Sequence, residues 1–187
     1  MSRTDIGSKA PRPSRRRGGR IRLKIEELDL VAAVICDSWL QVIEAKVGER
    51  SMQEGLLAAK EGAVRSISVE AGIISGPVQA DAESSLAVSI TLPVLNEPDW
   101  AKLIEAMSCE AIWAAKLLEN EVPNGLEDLF RGCGSPLIPC ESDVSALVER
   151  GGRRDGWRVA ALAWIVAERF YRDPLGILAV RGMACDT

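Results

Sequence analysis

The segment WRVAALAWIVAERF, residues 157–170, carries only three charged side chains, Arg158, Glu168 and Arg169. Its apolar residues run around the whole helical wheel, so a helix here has little surface to leave to water and should be buried on most sides. A chain of 187 residues is long enough to supply one core for it.

The elements that would form this core are legible from their periods. Residues 29–47, DLVAAVICDSWLQVIEAKV, place Val31, Val34, Ile35, Trp39, Val42 and Ile43 at helical spacing, with Trp39 read as a core anchor rather than a binding residue. Residues 51–61 suggest a second, short helix, with Ser51 and Glu54 at capping-box spacing. The period then changes to two. RSISVE, Ile73 to Gln79 after the Ala71-Gly72 turn, and SSLAVSITLP read as a three-stranded antiparallel meander over residues 63–92, with QADAES an exposed loop. Asn96 is placed to cap a helix over 97–107, with Pro98 tolerated in its first turn. Further helical patterns cover 109–119 and 126–131, and Pro136 and Pro139 forbid a regular helix in the stretch between. Residues 141–150 are expected to add one or two helical turns before the apolar helix. The fold class is α+β, a small three-stranded antiparallel sheet packed with helices and a mostly helical C-terminal half.

Composition removes whole classes of chemistry. The chain contains no histidine, so Ser-His-Asp and Cys-His nucleophile activation, histidine general bases and histidine metal ligands are all excluded. Its five cysteines are scattered without a CxxC, which argues for a reducing, cytoplasmic setting rather than a disulfide framework. No run approaches the roughly 18 apolar residues that span a bilayer, and no apolar leader follows the charged N-terminus. The expectation is a non-enzymatic protein with no cofactor, no small-molecule substrate and no membrane.

Charge is divided along the chain. Residues 1–24 hold nine Lys/Arg against Asp5, for +8, while the rest holds fourteen bases and twenty-six acids, for −12, giving the overall −4. The first 24 residues, poor in apolar side chains and rich in Pro, Gly and Ser, are expected to be a disordered basic arm preceding a single domain over 25–187. Arg12, Arg15, Arg16, Arg17, Arg20 and Arg22 offer forked donors for phosphate; the competing reading is a solvated tail. A second cluster, Arg150, Arg153, Arg154 and Arg158, sits in a glycine-rich turn before the apolar helix, where helix N–H groups also favour anions. The alternative there is a solvated turn partly paired with Glu149 and Asp155.

Six pieces in order resemble the bacterial SWIM zinc-finger proteins: SWLQVIE, the β-unit GAVRSISVEAG, VSITLPVL, the acidic-Trp helix EPDWAKLIEAM, VPNGLEDLFRGCGSPLIP, and VAALAWIVAERFYRDPLGILAVRGM. The resemblance runs from about residue 30 to 183. It implies a CxC and CxH zinc site just before the last long helix, with the CxC pair near Leu147 and Glu149 and the CxH at Gly156 and Arg158. None of those positions is Cys or His, and no cysteine lies between Cys140 and Cys185, so the turn over 147–158 reads as a vestigial, metal-free knuckle. Cys133 and Cys140 are read as two partly buried thiols; with Glu141 or Asp143 they would make a poor zinc site. A structural zinc contributes folding energy on the order of 10 kcal/mol. Apolar burial by Trp157, Val159, Leu162, Trp164 and Ile165 is the expected replacement, with Gly151, Gly152 and Gly156 closing the turn.

The resemblance implies a binding module, since SWIM domains are associated with DNA binding and protein interaction. The sequence itself has no Walker A pattern. The expected function is a non-catalytic binding or assembly subunit of a larger, nucleoprotein complex, whose Arg-rich arm contacts DNA or RNA phosphates. The alternative is a protein-interaction subunit with no direct nucleic-acid contact.

Overall fold

The computed structural model describes residues 20–80, 85–109, 113, 115–116, 119 and 125–183, with only the backbone described at Val31, Ala32 and Arg153. At its centre lies the apolar helix, α6 (Gly156–Arg172), whose residues from Arg158 to Glu168 are all buried. It is preceded in the chain by α1 (Glu27–Ala32), α2 (Val34–Val47), α3 (Glu49–Glu61), β1 (Ser68–Glu70), β2 (Ile73–Gln79), β3 (Ser85–Thr91), α4 (Glu97–Ser108), α5 (Leu126–Gly132) and β4 (Ser145–Val148), and followed by α7 (Gly176–Val180).

Helices α3 and α2 make the most extensive contacts with α6, while β2, β3 and β4 also pack on it. Two side chains of α2 reach across to carbonyls of α6. The Trp39 indole N–H donates to Ala163 O at 3.0 Å and the Cys36 thiol donates to Ala167 O at 3.3 Å. Trp39 also meets Phe170 edge to face, with centroids 5.8 Å apart, an arrangement that adds to plain area burial. From α6 itself, the Trp164 indole donates to Met52 O on α3 at 3.1 Å.

The close approach of α3 depends on one residue. A Cβ added at Gly55 would lie 2.4 Å from Ala160 Cβ, 2.7 Å from Ala161 N and 2.8 Å from Trp157 O. Glycine is a poor helix former, yet here its missing side chain lets two backbones meet.

The sheet is antiparallel throughout, in the order β1-β2-β3-β4. Ile74 opposite Ile90 and Val78 opposite Leu86 place the apolar face of the meander inward. The fourth strand differs from the sequence reading, which assigned residues 141–150 to helix. Only Glu141–Asp143 forms a single 3-10 turn, and Ser145–Val148 then pairs with Thr91–Val88. A four-residue strand holds too few residues to display a period, and its pairing partner lies more than fifty positions earlier in the chain.

The helix expected over 29–47 is also divided. Ala33 takes an extended conformation (φ −87°, ψ 113°) between α1 and α2. In one continuous helix Leu30 and Ile35 would sit about 140° apart around the axis; the break lets both enter the core and turns Val34 out, 66% exposed. The second helix begins at Glu49 behind Gly48 (φ 84°), so the Ser51–Glu54 capping box does not form. Asn96 does cap α4, its Oδ1 accepting the Asp99 N–H at 2.9 Å. The helical pattern over 109–119 and the loop following Gln79 lie largely outside the described residues.

At the far end of the domain, buried Arg181 donates to the carbonyls of Pro93 and Pro136, tying two loops to the residues after α7. Burial lowers its guanidinium pKa from the usual value, a shift countered by the charge of Asp143.

Gly55→Ala tests the central contact. Alanine gains about 1 kcal/mol of helix propensity over glycine, but overpacking costs about 1–3 kcal/mol when the clashing atoms cannot rotate away. Two of the three nearest atoms here are backbone. The expected outcome is a lower urea midpoint, with a net loss of about 1 kcal/mol; a variant as stable as the parent would show that α3 and α6 can separate freely.

Candidate functional site

The root of the basic arm folds into the domain. Arg20-Ile21-Arg22-Leu23-Lys24-Ile25 alternates cation and apolar residue, and its exposure alternates in step, with Ile21, Leu23 and Ile25 turned inward. Ile21 donates its N–H to Val64 O at 2.9 Å and bridges Val64, which in turn bridges Val78 of β2. Leu23 N–H donates to Ala59 O at 3.1 Å, and Lys24 N–H donates to Glu168 Oε2 at 2.9 Å. Residues 20–24, expected to belong to the arm, thus pack on the domain, because Ile21 and Leu23 have apolar area to bury and Ile21 bridges Val64. Arg12, Arg15, Arg16 and Arg17 lie outside the described residues.

This docking creates a groove of about 520 Å³ between the arm root and the last turns of α6. Five cations line it: Arg20, Arg22 and Lys24 from the root, and Arg169 and Arg172 from α6. Ile21, Ile67 and Ile165 supply apolar floor. The two carboxylates present are Glu168 and Asp173. Glu168 is buried and already engaged, accepting Arg172 Nη2–H at 2.7 Å and Nε–H at 3.1 Å besides the Lys24 amide. The groove thus keeps an excess of positive charge on a body that is otherwise acidic.

A smaller cavity of about 260 Å³ adjoins it through Arg20 and is lined also by Trp157, Gln79, Glu61 and Gly62. The Arg158 guanidinium lies over the Trp157 ring, 4.5 Å from its centroid.

Arg158 does not belong with the surface cations among which the sequence placed it. It is 4% exposed, donates from Nη1 to Val78 O at 2.6 Å and from Nε to Asp155 Oδ1 at 3.2 Å. Sequence position alone put it on a polar turn; in the structure it is the third residue of a helix whose first turn already faces β2. Arg150 and Arg154 are exposed on the turn and line neither cavity, and the side chain of Arg153 is not described. Arg150 has φ 59°, a left-handed conformation that few side chains favour. Asp155 braces the turn by accepting the Gly152 N–H at 2.8 Å. That backbone bond is the main cause that lowers its carboxyl pKa from 3.8; desolvation opposes it, and the Arg158 bond and charge add to the lowering.

Leu147 on β4 is 65% exposed and points away from the core. Among the described residues no group of three or more His, Cys, Asp or Glu is placed to hold a metal. Cys133 is half-buried, and the exposed Cys140 thiol donates to Asp143 Oδ2 at 2.9 Å. No helix among the described residues is long and apolar enough to cross a membrane.

The sequence reading omitted Lys24, Arg169 and Arg172 from the cationic site. For Lys24 the signal existed in the two-residue alternation of RIRLKI. For the α6 arginines no local signal exists, since only the folded chain brings residues 20–24 beside 165–173.

No protein-family model matches the chain, and no solved structure does. The chain is similar to an uncharacterized protein, Rv2102, of Mycobacterium tuberculosis, 31% identical over 140 residues, which cover 70% of this chain and 48% of that protein. The chain thus spans about half the length of the curated relative it matches.

Arg158→Met is expected to destabilise the protein by about 2–3 kcal/mol in urea unfolding, because the Val78 carbonyl and Asp155 lose a charged donor in a buried place; a loss under 0.5 kcal/mol would contradict that (roughly the scatter of a surface change). Asp155→Asn carries a pH signature. The folded pKa of Asp155 is depressed, so its contribution is complete above the ordinary carboxyl value of 3.8 and fades as pH falls through the lower folded value. The stability difference between parent and Asp155→Asn should be flat from pH 7 to roughly pH 5 and shrink below about pH 4.

Proposed function

We propose that this chain is a non-catalytic subunit of a larger nucleoprotein assembly, holding a nucleic-acid phosphate backbone in the cationic groove and along the arm that leads from it. The observation that carries this reading is the pinning of Arg20, Arg22 and Lys24 opposite Arg169 and Arg172. Cations from two distant segments then line one groove, and Arg12, Arg15, Arg16 and Arg17 precede it in the sequence. Release of counterions from a polyanion favours such an array, and phosphate contacts of this kind carry little base preference.

Two features support a binding rather than a catalytic role. The chain has no histidine to activate a nucleophile, and burial raises the Cys36 thiol, one of its five cysteines, to about 12, so that thiol stays protonated. The SWIM resemblance fits the same reading as a binding scaffold whose turn over 147–158 closes through Asp155, Gly152 and Arg158 instead of zinc. A protein partner without nucleic acid is the second reading, favoured by Leu28 and Val34, which are 83% and 66% exposed near the junction of α1 and α2.

Binding of fluorescein-labelled 20-mers, single-stranded and duplex, across a salt series tests the proposal. Affinity should fall steeply as salt rises. Deleting residues 1–19, which spares the docked Ile21 and Leu23, should flatten that slope, and Arg22→Glu with Arg169→Glu should weaken binding by about tenfold at fixed salt. Affinity unchanged in both variants, or no binding by the parent, would leave the protein-partner reading in its place. Independently, added chelator should not shift the thermal midpoint; a fall of several degrees would restore a structural metal.

A further inference from the structure

We infer that the polyanion taken by this groove is a single strand, with one base seated against Trp157 in the cavity that adjoins it; this rests on the nucleic-acid reading above. The groove and the cavity share Arg20. A strand whose phosphate lies at Arg20 would therefore bring a neighbouring base close to a residue that also lines the cavity. The cavity, about 260 Å³, is of a size for one ring system and has no room for a paired duplex.

Its lining fits a base. Trp157 is only partly buried and contributes an aromatic surface, while Arg158 lies over its ring and fixes its plane. Arg158 is in turn held by Val78 O and Asp155, so the cation over the Trp157 ring is already positioned by the fold. Stacking on such a platform tolerates every base because each has a π-face. Gln79 and Glu61 stand at the rim as hydrogen-bonding groups; Gln79 Oε1 already accepts from Arg65 Nε–H, which orients its amide. The Glu61 carboxylate would repel a phosphate but accept a base N–H, which favours a base in the cavity and the phosphate in the groove.

The remaining walls are small, at Ala58, Gly62 and Ala63. Gly62 has φ 82°, and a Cβ there would lie 2.9 Å from Arg22 Cγ and 3.2 Å from Arg20 Cβ. Glycine at this position thus lets the arm root lie flat between the two compartments. The net charge of −12 over residues 25–187 also opposes a duplex, which must bring many phosphates close to the body at once.

The experiment compares labelled dT20 with a 20-base-pair duplex at one salt concentration, for the parent, for Trp157→Leu and for the chain lacking residues 1–19. The expected result is at least tenfold tighter binding of dT20, with Trp157→Leu removing about tenfold of it and leaving duplex affinity unchanged. Equal affinity for both nucleic acids, or no effect of Trp157→Leu while the deletion still weakens binding, overturns the single-strand inference and leaves the nucleic-acid reading standing. Failure of both nucleic acids to bind the parent overturns the reading itself. Thymidine monophosphate in excess should not displace dT20; full displacement would make this a mononucleotide site and overturn the inference. Should Trp157→Leu not fold, photocrosslinking of the parent to a 5-iodouracil-substituted strand decides: a crosslink mapped to Trp157 supports the proposal, and crosslinks confined to other residues overturn it.

Discussion

The crossing of α3 over α6 at Gly55 and Ala160 is the contact on which the remaining structure depends. With no side chain at Gly55, two helix backbones meet there, and a Cβ at that position would fall within 2.8 Å of three atoms of the partner helix. Close packing of this kind forfeits dispersion energy rapidly once a gap opens. The closeness also sets the height at which α3 ends, and hence where Ala59 O and Gly62 stand to receive the arm root.

The two buried charges of α6 act as fastenings at opposite ends of the helix. Arg158, near its start, holds the carbonyl of Val78 and so fixes β2. Glu168, near its end, holds the Lys24 amide and Arg172. Burying a charge is costly unless it is hydrogen-bonded, and both are bonded to elements distant in sequence. Each therefore specifies which segment packs there, in addition to filling space. Through Glu168 the core helix and the cationic groove are one construction: the carboxylate that seats the arm root also orients a groove arginine.

Much of the fold was legible because its patterns are local. The Asn96 cap, the inward faces of β2 and β3, and the enclosure of residues 157–170 all follow from residues within a few positions of each other. The misses share a different origin. Ala33 breaks a helix that propensity would continue, because Leu30 and Ile35 both gain burial. Ser145–Val148 becomes a strand because β3 offers an open edge. At the site, the arm cations Arg20 and Arg22 were recognised by composition, whereas their partners Arg169 and Arg172 were not, because nothing near either segment announces the other.

By itself the sequence determined that a nearly all-apolar helix must be enclosed, that histidine chemistry is excluded, and that a basic arm leads an acidic body. These are properties of residue type and short-range period, which no packing can alter. Only the tertiary structure decided that Arg158 faces inward, that residues 20–25 pack on the domain, and that they meet the end of α6 to form a groove. Those outcomes rest on apolar burial and hydrogen bonding between segments more than thirty residues apart, and no local pattern encodes such a partner.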